Sequence, residues 1–186
     1  IINADVLVIG AVGMNFDGRL EVKFRLWDVS QQKEIGKEKK YLTKQESWRR
    51  ISHKISDTIY ERLTGESPYF DSRVVFVSET GPKNNRTKRL AIMDQDGANF
   101  RFLKHPPSLV IAPRFSPTDN EIIFTGYETG KPNVYLMNLD NDKISSLGNL
   151  QGMSFAPRFS MDGKKIVLSI TESGNTDIFS IKLGTL

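Results

Sequence analysis

A chain of 186 residues, 38% hydrophobic and 26% charged, has the size of one large domain or two small ones and the composition of a protein with packed cores. Its longest apolar run, Val6 to Val12, falls well short of the ~20 residues that cross a bilayer as a helix. A formal charge of +4 is too weak to argue for nucleic acid by itself. The absence of cysteine excludes a disulfide framework, a thiolate zinc site and a cysteine nucleophile. Ile1-Ile2-Asn3-Ala4 carries no initiator Met and no leader pattern, so the chain reads as cut from something longer or already processed.

In chain order, the apolar run from Asp5 to Val12 predicts a strand covered on both faces. Gly13 to Gly18 reads as a turn, after which Leu20, Val22, Phe24 and Leu26 alternate with charged residues, the period of a strand with one wet face. Lys37 to Leu42 is a weaker, charged edge strand. Thr43-Lys44-Gln45-Glu46 fits a capping box, and Trp48, Ile51, Ile55, Ile59 and Leu63 then recur at helical spacing up to Gly65. The expected domain organisation is the C-terminal part of a small α+β domain over 1–66, a linker over 67–72 and β-repeats over 73–186.

The repeats are explicit. Pro113-Arg114-Phe115-Ser116 returns as Pro157-Arg158-Phe159-Ser160, a shift of 157 − 113 = 44 positions, and the register continues without a gap through Val134-Tyr135-Leu136 and Ile178-Phe179-Ser180. An upstream copy, with Leu90-Ala91-Ile92-Met93, carries a five-residue insertion assigned to the basic loop Pro82 to Lys88. Four short strands in a ~40–50-residue period are the size of one propeller blade. The fold class is therefore mainly β, a small α+β domain followed by about two and a half propeller blades. The first copy lacks its Pro-Arg-Phe-Ser strand and the third its last strand.

Several features have ordinary readings. Lys83-Asn84-Asn85-Arg86-Thr87-Lys88-Arg89 lacks the interleaved aromatics that single-stranded nucleic acid stacks on and reads as a solvated hairpin. Asn138 to Asp142 and Asp94 to Gly97 resemble the opening of a calcium loop, but the first lacks its glycine and closing glutamate, and tight turns use the same residues. His53 and His105 serve no nucleophile elbow, since no Gly-x-Ser-x-Gly occurs, and phosphate-binding glycine loops are absent too. No catalytic residue, metal ligand or cofactor site is assigned. Arg114 and Arg158 either line the propeller channel and attract an acidic partner, or pair with turn carboxylates such as Asp119 and Asp162, the latter being favoured.

The order of these parts resembles the TolB family, periplasmic components of the bacterial Tol-Pal envelope system. The resemblance is carried by Ala4-Asp5-Val6-Leu7-Val8-Ile9-Gly10, a helix closing on Arg62-Leu63-Thr64-Gly65, and ~44-residue repeats containing Ala156-Pro157 to Asp162-Gly163. It implies a six-bladed propeller in the intact family, no enzymatic activity, a periplasmic location, and a scaffold that supports outer-membrane integrity and division by binding the lipoprotein Pal. It further implies contact with TolA through an N-terminal segment that this chain does not contain, and docking of colicin segments on the propeller end that takes Pal. No nucleic acid and no membrane insertion are implied. On this chain the family's docking positions fall on Val110, Ile111 and Ala112, and on Met153, Ser154 and Phe155. Read from the residues alone, Ile111, Met153 and Phe155 form either a docking surface or the lining between blades. The competing reading is the accessory propeller of a prolyl-oligopeptidase-like serine peptidase.

Overall fold

The computed structural model describes residues 3–104, 109–148 and 150–183; His105 lies outside them. The chain divides into two compact units, 1–72 and 73–186.

In the first unit, strand β1 (Val6–Met14), β2 (Leu20–Asp28), β3 (Lys33–Glu34) and β4 (Lys39–Thr43) form an antiparallel sheet in which β2 pairs with all three others. The two-residue β3 had no counterpart in the sequence pattern. The alternation in β2 works as expected: Val22, Phe24 and Leu26 are buried. On the opposite face Glu21 bridges Lys23 and Lys40 at 2.8 and 2.7 Å, and Arg25 pairs with Glu38 at 2.7 Å.

Two expectations fail in this unit. Leu7, Val8 and Ile9 of β1 are about half exposed and Val12 is 72% exposed, so β1 is an edge strand bound to β2 alone rather than a strand covered on both faces. A long apolar run reports that a strand can be buried, not that a neighbour is present to bury it. The capping box also fails, because Thr43 is the last residue of β4 and pairs with Leu20. A 3-10 turn at Gln45–Ser47 intervenes before α1 (Trp48–Thr64), and neither start has a side-chain cap. Ladder pairing took the residue that the motif assigned to the cap.

Helix α1 buries Ile51, whereas Trp48 and Leu63 at its ends are 54% and 46% exposed. It is held to the sheet by polar contacts as well. Tyr41, stacked on Phe24 at 6.5 Å between centroids, reaches Thr58 Oγ1 at 3.0 Å. Arg62 donates to the carbonyls of Ile35 at 3.1 Å and Lys37 at 2.7 Å while lying over the Phe24 ring. Arg62→Met is expected to cost about 2 kcal/mol in a denaturant titration, because two loop carbonyls lose their donor. A Lys substitution should recover only part of that, since an ammonium lacks the planar fork. After the helix, Asp57 accepts the amides of Phe70 at 2.7 Å and Asp71 at 3.2 Å, so residues 70 and 71 are tied to α1.

The second unit contains three antiparallel sheets. The first is β5 (Arg73–Thr80), β6 (Thr87–Asp94) and β7 (Arg101–Phe102); the second is β8 (Val110–Phe115), β9 (Glu121–Gly126), β10 (Asn133–Asn138) and β11 (Ile144–Ser146); the third is β12 (Met153–Phe159), β13 (Lys165–Glu172) and β14 (Asn175–Lys182). The four-strand repeat, its missing first strand in one copy and its missing last strand in another thus match the sequence pattern. Two cores separate the sheets. Leu90, Ile92 and Leu103 meet Val110, Ile122, Phe124, Tyr135 and Met137 in one, and Ile123, Val134 and Leu147 meet Ile166, Leu168 and Ile170 in the other. Successive residues of β9 therefore serve opposite cores, which is why its burial is continuous rather than alternating.

The insertion in the first copy is not a longer loop. Strands β5 and β6 pair out to Glu79↔Lys88 and Thr80↔Thr87, leaving six connecting residues, 81–86, the same number as 127–132 between β9 and β10. The extra residues extend the ladder because Glu79 and Lys88 have opposite charge across it and Thr favours a strand.

Candidate partner-docking site

The second and third repeats open on the same local device. In β8, Ile111 pairs with Thr125 and Arg114 with Ile123, so Ala112 and Pro113 together stand opposite Phe124. In β12, Phe155 pairs with Ser169 and Arg158 with Val167, so Ala156 and Pro157 stand opposite Leu168. These are one-residue bulges. Ala112 and Ala156 take φ values of 54° and 53°, the left-handed region that costs a non-glycine residue about 1 kcal/mol or more. Sequence reasoning had no signal for it, since a residue before proline is biased toward extended backbone. The following prolines are buried, and that packing holds the bulge in place.

The bulges and registers decide where each expected docking residue points. Val110 is fully buried in the core between the first and second sheets. Ser154 is 1% exposed, and its Oγ accepts the Val134 amide at 3.2 Å while its own amide donates to the Pro132 carbonyl at 3.1 Å. These two positions are corrections to the expected site: their side chains join sheets rather than meet a partner. Ile111 and Ala112 are half-buried, and Ile111 shares its face of the second sheet with Thr125 and Ile123, the side turned to the third sheet. For Ile111 the geometry is that of lining between blades. Met153, 40% exposed, and the half-buried Phe155 pair with Thr171 and Ser169, on the face of the third sheet opposite the one that buries Ile166, Leu168 and Ile170. Met153 is thus the exposed apolar member of the set, whereas Phe155, the counterpart of Ile111 by the 44-residue shift, is half-buried on the corresponding face of its own sheet.

The favoured pairing of the repeat arginines also needs correcting. Arg114 and Arg158 are exposed, and each folds back so that its Nη1 donates to the carbonyl of the proline before it, at 2.8 Å on Pro113 and 3.1 Å on Pro157. Among the described residues neither has a carboxylate partner. Asp119 instead accepts from Thr118 Oγ1 at 2.7 Å. Asp162 accepts from Ser160 Oγ at 2.5 Å and from the Lys164 amide at 3.1 Å, and the serine hydroxyl above all holds its carboxyl below the usual range. The turn carboxylates are occupied by their own turns, which are local in sequence and form at little entropic cost.

The same competition explains the calcium-like segments. Asn138 Oδ1 accepts the amides of Asp140 and Asn141 at 3.0 and 3.3 Å, and Asp96 accepts that of Ala98 at 3.1 Å. Among the described residues no three of His, Asp and Glu gather as a metal-ion site, and no helix is long and apolar enough to cross a membrane.

Comparison with known proteins agrees with this architecture. The model of the TolB beta propeller domain matches residues 60–186, and that of the TolB amino-terminal domain matches residues 1–35. The chain is 55% identical over 186 residues to the Tol-Pal system protein TolB of Ruegeria sp., covering 99% of this chain and 42% of that protein. It is 54% identical over 156 residues to its namesake from Dinoroseobacter shibae, covering 83% and 35%. The chain therefore spans less than half the length of these curated relatives. The crystal structure of TolB from Acinetobacter baumannii superposes with a TM-score of 0.83 at 28% identity, over 97% of this chain and 45% of that one. With the propeller family model matching well over half of its residues, the chain belongs to the TolB family.

Proposed function

We propose that the chain is part of a non-catalytic, periplasmic protein-binding scaffold of the Tol-Pal system. Its propeller binds the peptidoglycan-associated lipoprotein Pal, and this supports outer-membrane integrity and constriction at division. The observation that carries the reading is the pair of Ala-Pro bulges on β8 and β12: repeated, strained turns held by buried prolines are an arrangement for presenting side chains rather than for packing a sheet. Family membership favours this scaffold over the propeller of a serine peptidase. Among the described residues the candidate face offers apolar and arginine side chains, which suit a protein partner, rather than an acid–base pair for chemistry.

The test is a calorimetric titration of the full-length protein with the soluble domain of Pal. Met153→Ala and Phe155→Ala are each expected to weaken saturable binding about tenfold, the effect of removing a moderate interface anchor. Ile111→Ala, at the lining position, should change affinity by less than about threefold and appear instead as lost stability. Undiminished binding by both of the first two variants would remove β12 from the docking surface, and absence of binding by the full-length protein would overturn the function.

A further inference from the structure

We propose that Arg114 and Arg158 form a carboxylate-binding pair, one guanidinium per repeat, that takes the Asp or Glu side chains of an extended acidic segment of a protein partner. This goes beyond the Pal reading and does not depend on it.

Four observations carry the inference. Both guanidiniums are exposed, and neither has an acidic partner among the described residues, the nearby turn aspartates being bound within their own turns. Both are anchored in one way, by Nη1 on the carbonyl of the preceding proline. That bond fixes a side chain which would otherwise lose rotamer freedom on binding, and among the described residues it leaves the Nε–Nη2 edge, the fork that matches a carboxylate, without a hydrogen-bond partner. The two arginines occupy equivalent positions 44 residues apart, on strands that form the edges of their sheets and lie against each other. An extended segment that crosses from one of these edges to the other passes both arginines. Finally, the surroundings select the class of ligand. Two positive groups, with Met153 and Phe155 on the strand that carries one of them, suit a chain that alternates acidic and apolar side chains, whereas a phosphate backbone calls for a longer track of cations.

The probe is a fluorescein-labelled nonapeptide of alternating glutamate and alanine, compared with its glutamine counterpart by fluorescence anisotropy on the full-length protein. Low ionic strength is used because exposed pairs are screened. The glutamate peptide is expected to bind the unsubstituted protein more tightly than the glutamine peptide. Arg114→Gln and Arg158→Gln should each weaken it about fivefold, and the double variant should bind both peptides alike. Arg→Lys at either site should retain charge yet lose part of the affinity, because the fork is gone. Equal binding of the two peptides by the unsubstituted protein would overturn the proposal without any variant having to fold. So would discrimination that persists in the double variant, or tighter binding of a nine-residue oligothymidylate through the same arginines. Binding of the glutamate peptide by a protein that does not bind Pal would leave this inference standing and remove the Pal reading alone.

Discussion

Alanine at position 152 is expected to destabilise the propeller unit by about 3 kcal/mol, among the largest single-residue effects in the chain. Gly152 has φ +96°, and a Cβ added there would lie 2.4 Å from the Thr171 carbonyl oxygen and 3.1 Å from its carbon. Two penalties combine. The left-handed backbone disfavours any side chain, and the clash is with main chain, which cannot rotate away as a flexible side chain does. Gly130, with φ +78° and nothing within 4 Å of a built Cβ, separates the two: Gly130→Ala should cost about 1 kcal/mol from conformation alone. Equal losses in parallel urea titrations would show that contact with Thr171 contributes nothing. Because Gly152 immediately precedes Met153, Gly152→Ala should also weaken partner binding by moving the start of β12.

Phe124→Ala should cost about 4 kcal/mol. Phe124 is fully buried on β9 and stacks on Tyr135 at 5.8 Å between centroids, in the core that joins the first and second sheets. Truncation removes most of an aromatic side chain from a site with ladder-bonded strands on each side, which have little freedom to collapse into the cavity. Phe16, in the exposed turn between β1 and β2, is the contrast: Phe16→Ala should fall within about 0.5 kcal/mol of the unsubstituted protein. A loss below about 2 kcal/mol for Phe124→Ala, measured by thermal or denaturant unfolding, would mean that the sheets are not held by this core.

Much of the fold was legible because its signals are local and periodic. The alternation of Leu20, Val22, Phe24 and Leu26 fits any half-buried strand, and the 44-residue recurrence of Pro-Arg-Phe-Ser fits only a stacked repeat. What misled were motifs that a competing interaction could claim. Thr43 fits a cap and a ladder equally well, and the ladder took it. Thr87 and Lys88 fit a loop by polarity and a strand by cross-strand pairing, and the strand took them. Asp119 and Asp162 fit an ion pair with the repeat arginines, and hydroxyls one and two residues away took them first.

The candidate site was legible in position and not in orientation. The repeat singled out Arg114 and Arg158 as equivalent positions, and the family resemblance carried the docking positions onto residues 110–112 and 153–155 at the start of each copy. Neither could divide them, since one extra residue in a strand reverses which side chains face the core. That extra residue is the left-handed alanine, a state with no propensity signal, held by buried proline and by pairing with the next strand of its sheet. Composition and periodicity by themselves thus determined the class, the repeat and the absence of a thiol or nucleophile-elbow site. Only the tertiary structure decided that Val110 and Ser154 are internal, that Met153 is exposed, and that both arginines are open to solvent. The physical reason is that burial and bulge register depend on contacts between sheets, which no local pattern encodes.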